Sequence, residues 1–212
     1  MTFHVDVEKS ITYYVDTMKI KNNVKFGNKK LPDSTMIFNC GSASNCPSKA
    51  LGLCQAGSAC YAMKAEIQYP DCLPYRNRQR YILTKYDGKT IGNALLGKLK
   101  RRRNDTYAFR FNESGDFENQ QDVDKMATIC SILKDRVSCY GFTARTDLNL
   151  RPLLKHANVM VSNDKYKWVN KGANRFKIVT SFTGKHSRCA GDCRVCDLCL
   201  TLNGKTIEVM KH

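Results

Sequence analysis

The sequence predicts an α/β protein built on a mainly parallel sheet with alternating helices, folded as a partial (β/α) barrel or an open sheet. Two observations carry this. Strand-like and helical stretches alternate about five times along the chain, the pattern of strands joined by helical crossovers. The unusual polar residues collect just after the strand-like runs, where parallel α/β folds place their sites.

Taken in order, the residues through Lys29-Lys30 mix short apolar runs with Asn, Lys and Gly and read as an N-terminal strand or hairpin arm. Thr35-Met36-Ile37-Phe38-Asn39 is a short apolar strand that ends at Cys40. The Gly- and Ser-rich stretch that follows suits a loop rather than a long helix, and Cys60 opens a short helix at Tyr61-Ala62. Pro74 to Tyr86 and Thr90 to Arg103 have helical spacing. The second of these ends in Lys100-Arg101-Arg102-Arg103, cations that suit the negative end of a helix dipole. Thr106 to Phe111 reads as a strand, and Gln120 to Lys134 as a helix with Val123, Met126, Ala127, Cys130 and Leu133 on one face. Ser138 to Thr143 is a strand, Leu148 to His156 a short helix and Ala157 to Ser162 a strand. Asp164 to Asn174 is predicted helical and Phe176 to Phe182 extended. Thr206 to Met210 follows the Asn203-Gly204 turn as a last strand. The expected organisation is a single domain, 1–212. It has an arm at 1–30, an α/β core at 31–187, a Cys-rich metal-binding loop at 188–200 and a closing strand within 201–212.

The chain has 212 residues, enough for a sizeable core, with 42% apolar and 25% charged residues, ordinary for a globular protein. Its net charge is +16, from 35 Lys and Arg against 19 Asp and Glu. Such an excess favours nucleic acid or another polyanion as partner, although thiolates bound to metal would cancel part of it. No run approaches membrane-spanning length and no basic-plus-apolar leader precedes the first strand, so a reducing, cytoplasmic setting is expected.

In that setting 11 cysteines point to metal rather than disulfides, and an odd total leaves one thiol without an internal partner. Cys189, Cys193, Cys196 and Cys199 fall within eleven residues, and Cys40, Cys46, Cys54 and Cys60 form a second set upstream. Soft thiolates select zinc, copper(I) or iron–sulfur clusters. Two-residue gaps in one short run suit [4Fe–4S] ligation, whereas zinc sites usually take two separated pairs. One or two [4Fe–4S] clusters are therefore expected, with zinc the alternative. If strand ends share one face, the two cysteine sets meet there. Cys130 and Cys139 fall at packing positions, and Cys72 is either a spare thiol or a ligand.

The same strand-end loops hold Arg110, Asp116, Arg145 and Asp147, the candidate catalytic residues, together with Ser114, Gly115, Lys185 and His186 as candidate cofactor contacts. His186 is a candidate ligand or proton donor beside the cysteine run. Each has a structural alternative. Asp116 with Ser114, Asp147 and Asp164 stand where helix caps are expected. Arg110 and Arg145 pair either with carboxylates or with an anionic ligand.

Cys40-GSAS-Asn-Cys46-Pro, Cys60-Tyr-Ala-Met-Lys-Ala-Glu66 and Arg76-Asn-Arg78, followed by Arg110-Phe-Asn-Glu-Ser-Gly115-Asp116-Phe117 and Tyr140-Gly-Phe-Thr143-Ala-Arg145, resemble the phage gene product 88 family. The resemblance spans roughly residues 36 to 200 and extends to the Cys-rich tail, with Cys54 additional to the usual pattern. It implies a phage protein acting in the cytoplasm of a bacterial host. A more distant resemblance is to radical-SAM enzymes, in which a CxxxCxxC loop follows the first barrel strand and a Gly-Gly-Glu-like segment the second. Ser114-Gly115-Asp116 sits where that segment would, but CxxxCxxC occurs only at Cys189–Cys196, with a fourth cysteine added. This likeness implies a radical-SAM-like barrel and S-adenosylmethionine as a cofactor, although four thiols leave no open iron for it.

Overall fold

The computed structural model describes residues 16–54, 56, 60–102, 105–162 and 172–210. Residues 16–22 are helical (α1). Strands β1 (Lys25–Phe26) and β2 (Thr35–Phe38) follow, then helices α2 (Pro47–Ala50), α3 (Tyr61–Gln68), α4 (Cys72–Lys85) and α5 (Gly88–Lys100). Next come β3 (Ala108–Phe111), α6 (Gln120–Leu133), β4 (Ser138–Thr143), α7 (Arg151–Leu154) and β5 (Asn158–Val161). The chain finishes with β6 (Asn174–Val179), β7 (Ser187–Arg188), α8 (Leu198–Thr201) and β8 (Thr206–Met210).

All eight strands join one sheet in the order β1-β2-β3-β4-β5-β6-β8-β7. Only β1 runs antiparallel to its neighbour, and the sheet is open, with β1 and β7 at its edges. The α/β class and the mainly parallel sheet are as the alternation of elements predicts.

Side chains alternate across the pleat, and the two faces have different fates. Met36, Phe38, Phe109, Phe111, Cys139, Val159 and Val161 join the main core with Leu83 of α4, Ile91 and Leu95 of α5, and Val123, Met126, Cys130 and Leu133 of α6. The predicted apolar face of α6 is thus the buried one, and Cys130 and Cys139 are packing residues. The alternate positions, including Ile37, Arg110, Tyr140, Phe142, Phe176 and Ile207, form a second face. There the Phe142 and Phe176 rings meet edge-on at 5.0 Å, and the C-terminal segment covers Tyr140 and Ile207.

Several elements differ from expectation. The start of the described chain is helical rather than extended, because Thr17, Ile20 and Val24 recur at helical spacing and are buried together. The hairpin survives only as the short β1–β2 pair. The helix expected at 148–156 shrinks to α7, since Gln120 holds the preceding segment extended: Asn149 N–H donates to Oε1 (2.9 Å) and Nε2 donates to Asn149 O (3.0 Å). Residues 163–171, most of the helix expected at 164–174, lie outside the described residues, as do 1–15. Asn174 already belongs to β6, where it donates to Leu202 O at 2.9 Å and accepts from Lys205 N at 3.1 Å. The strand β7 has too little apolar character to be legible in advance.

Gly141 in β4 sits under Phe111 of the neighbouring strand, and a Cβ there would lie 2.2 Å from the ring. Because the ring is fully buried, it has nowhere to retreat. Gly141→Ala is predicted to lower unfolding free energy by about 1–3 kcal/mol through overpacking, read as a reduced urea midpoint at unchanged slope.

Candidate metal centre and the loops at the strand ends

The first cysteine set lies in loops at the C-terminal ends of β2, β3 and β4, and those loops are tied together through Asp116. Its carboxylate accepts from Ser48 Oγ (2.6 Å), Thr143 Oγ1 (2.7 Å), Ala144 N (2.8 Å), Phe117 N (2.8 Å) and Asn112 Nδ2 (3.3 Å). Burial pushes the Asp116 carboxyl above its ordinary value, against the pull of the hydrogen bonds from Ser48, Thr143, Ala144 and Phe117. The cap of α6 is Asn119, which accepts from Asp122 N at 3.2 Å, so capping is not the role of Asp116.

Around this knot, Asn39 Oδ1 accepts from Ser114 N (3.0 Å) and Asn112 Oδ1 from Cys40 N (3.3 Å). Gly115 has φ +67, and a Cβ on it would lie 2.6 Å from Gly41 O. Its glycine therefore serves the close approach of two loops as well as a left-handed turn. Ser114 Oγ donates to Glu66 Oε1 at 3.4 Å. Both candidate cofactor contacts in this loop are thus engaged with other parts of the fold.

Arg145 and Asp147 pair with each other. Nε and Nη2 donate to the two carboxylate oxygens at 2.8 Å each, while Nη1 donates to Phe117 O (2.6 Å) and Glu118 O (2.9 Å). The residue expected to cap α7 is consequently held by Arg145, and α7 has Leu150 at its cap with no side-chain bond. Lys185 and His186 are exposed, just before β7.

The two cysteine sets do not meet. Cys40 follows β2 and is buried in the main core, where burial raises its thiol well above the ordinary value. Cys46 caps the short α2, and burial, reinforced by Asp116, pushes it up to about 11. Cys54 and Cys60 are half-buried, the latter capping α3. The second set instead lies across the other face of the sheet, toward the strand starts. Cys189, Cys193, Cys196 and Cys199 line one cavity with Pro32, Thr35, Tyr107, Tyr140 and Ile207. Backbone bonds anchor the loop at both ends of its path: Cys189 N donates to Glu208 O (2.8 Å) and Cys193 N to Lys30 O (3.1 Å). Asn158 Nδ2 donates to Leu200 O.

All four are free, half-buried thiols. Among the described residues no three His, Cys, Asp or Glu side chains are gathered as a metal-holding group. The donor set nonetheless has the chemistry for one: four soft ligands on one cavity wall. Burial raises Cys193 and pushes Cys199 up to about 12, while the charge of Arg110 pulls both down.

Arg110, in mid-β3, faces this cavity side. Its Nε is buried without a hydrogen-bond partner. The guanidinium carbon lies 4.8 Å from the Phe142 ring centroid and 5.9 Å from that of Tyr140. Burial opposes its charge, but Tyr61, Tyr140, Glu113 and Cys193 together hold its pKa above the usual value.

Sequence reasoning did not single out the Glu66–Arg76 pair as a site feature. Arg76 Nη1 donates to Glu66 Oε1 and to Ala62 O, each at 2.8 Å, and both side chains are almost fully buried. Glu66 also accepts from Ala43 N (2.7 Å), Ser44 N (2.9 Å) and Ser44 Oγ (2.6 Å), which fixes the cysteine loop. The only signal was a charged pair ten residues apart in two predicted helical stretches. Burial raises the Glu66 carboxyl, but bonds from Ser44, Ala43 and Arg76 outweigh it and leave the group below its ordinary value. Its stabilising contribution is therefore full at neutral pH and is lost as pH falls through the carboxylate range. Arg76→Met should cost about 3–5 kcal/mol by stranding a buried carboxylate. The stability gap between wild type and Glu66→Gln, measured by urea denaturation, should narrow on acidification.

A family model described as Gene product 88 matches residues 15–165. The matched region takes in the Asp116 knot, the Glu66–Arg76 pair and the first cysteine set, and ends before Cys189. No curated protein and no solved structure matches the chain. The motifs that resembled the family are those that interlock at the strand ends, and the chain belongs to the Gene product 88 family of phage proteins.

Proposed function

We propose that this is a phage-encoded iron–sulfur protein in which Cys189, Cys193, Cys196 and Cys199 hold a [4Fe–4S] cluster, acting on or near nucleic acid in the host cytoplasm. The observation that carries it is the placement of all four thiols on one cavity wall, over a sheet face that also holds a buried guanidinium. Such a cluster supplies electron transfer or a structural cross-link. The loop between β7 and α8 presents the ligands, while Tyr140 and Ile207 limit access of water from the sheet side.

Support for a polyanionic partner comes from charge. The net charge is +16, and the end of α5 gathers Lys98, Lys100, Arg101 and Arg102 near Lys21. Burial, with repulsion from Arg101 and Arg102 respectively, lowers the Lys21 and Lys98 pKa values. Among the described residues no helix is long and apolar enough to cross a membrane.

The strand order supports a finer architecture. From β2 to β6 and on to β8, parallel neighbours follow chain order, as in the wall of a partial (β/α) barrel. A radical-SAM-like enzyme would use the C-terminal ends of those strands, where Cys40, Cys46, Cys54 and Cys60 lie. There Asp116, Arg145 and Asp147 are already bonded within the fold, which favours a binding protein over that enzyme.

Anaerobically purified protein should contain about four irons and four acid-labile sulfides per chain, reduced sharply in Cys196→Ser and Cys199→Ser. Stoichiometric zinc without iron would replace the cluster with a zinc staple, and absence of both metals would overturn the proposal. Retention on DNA should fall steeply with salt; no retention at low salt would remove the nucleic-acid partner.

A further inference from the structure

Resting on that metal-centre reading, we infer that Arg110 is the internal counter-charge of the C-terminal thiolate centre, holding its excess negative charge in place from beneath the loop. A buried guanidinium is costly unless an anion meets it, and arginines inside folds normally find a carboxylate. Arg110 makes no ion pair among the described residues, and its Nε has no hydrogen-bond partner. Glu113, the nearest acid along the chain, is taken by others. Lys25 Nζ lies 2.8 Å from its Oε2, and Asn28 Nδ2 donates to its Oε1.

What lies over Arg110 is the cysteine loop. Its position in β3 is in register with Tyr140 of β4, which lines the thiol cavity, and its charge is felt at both Cys193 and Cys199. The packing against Phe142 and Tyr140 keeps the guanidinium from leaving for solvent. A metal centre with four thiolates carries a net charge of about −2 whether it holds zinc or an oxidised cubane. Half-buried, such a centre needs a compensating cation, and Arg110 supplies a permanent one that does not depend on pH.

The test compares full-length wild type, Arg110→Gln and Arg110→Lys, all purified anaerobically. Metal per chain is measured first, then the rate of metal loss to excess EDTA. Arg110→Gln should release metal about tenfold faster or more, given the coupling energies of close charge pairs, and Arg110→Lys should recover most of the difference. If the metal is iron, the Gln variant should also have a lower reduction potential, because the more negative reduced state loses its counter-charge. Arg110→Met preserves packing against Phe142 and replaces Arg110→Gln if the latter does not fold. Equal release from wild type and the neutral variant would overturn the role of Arg110 while leaving the metal centre intact. Equal loss in the Lys and Gln variants would assign the effect to shape and also overturn it. Wild type without metal would overturn the metal centre itself, and this inference with it.

Discussion

The buried carboxylate of Asp116 is the interaction on which the rest of the strand-end architecture depends. It gathers donors from the loop after β2, the loop after β3 and the end of β4. Three adjacent parallel strands therefore end in one hydrogen-bonded body rather than in separate loops. A carboxylate in such a place is tolerable only with its lone pairs occupied, and the five donors around it meet that condition. Glu66 does the same one layer out, receiving two backbone N–H groups of the cysteine loop while Arg76 balances its charge. The loop from Cys40 to Asn45 is thereby held from both sides, with Gly115 allowing the closest approach.

That arrangement separates the two cysteine sets by chemistry as well as by position. Around Cys40 the surroundings are apolar core and carboxylates, both of which oppose thiolate formation. Over the opposite sheet face, burial likewise opposes it at Cys193 and Cys199, but a fixed positive charge works in its favour. The backbone anchors at Glu208 and Lys30 stretch the C-terminal cysteine loop across that face, between the β8 edge and the start of β2. A centre formed there would fasten the last strands to the first, a cross-link that the sheet hydrogen bonds alone do not make.

Much of the fold was legible in the sequence because its elements have strong periodicity. The run Val123, Met126, Ala127, Cys130, Leu133 announces α6 and its buried face, and Ser138–Thr143 announces β4. Short elements were not legible: β7 and α2 have too few residues for a period, and α7 loses its first turn to the Gln120–Asn149 bonds. The clustering of polar residues after strands was visible, but its meaning was not. Asp116, Arg145 and Asp147 have the residue types of a catalytic site, and only their partners show that they bind loops to one another. Nor does a sequence reveal which end of a strand a later segment returns to, so the two cysteine sets were expected together. Arg110 was visible as an unusual strand arginine; its isolation from carboxylates was not.

The most direct measurement of the central claim is cysteine accessibility in the anaerobically purified chain. Iodoacetamide labelling would be followed by peptide mass spectrometry, before and after acid removal of metal. With a metal centre on the C-terminal loop, Cys189, Cys193, Cys196 and Cys199 resist labelling together and become reactive together on metal removal, while half-buried Cys54 and Cys60 label in both states. Labelling of the four at the same rate with and without acid treatment would contradict it.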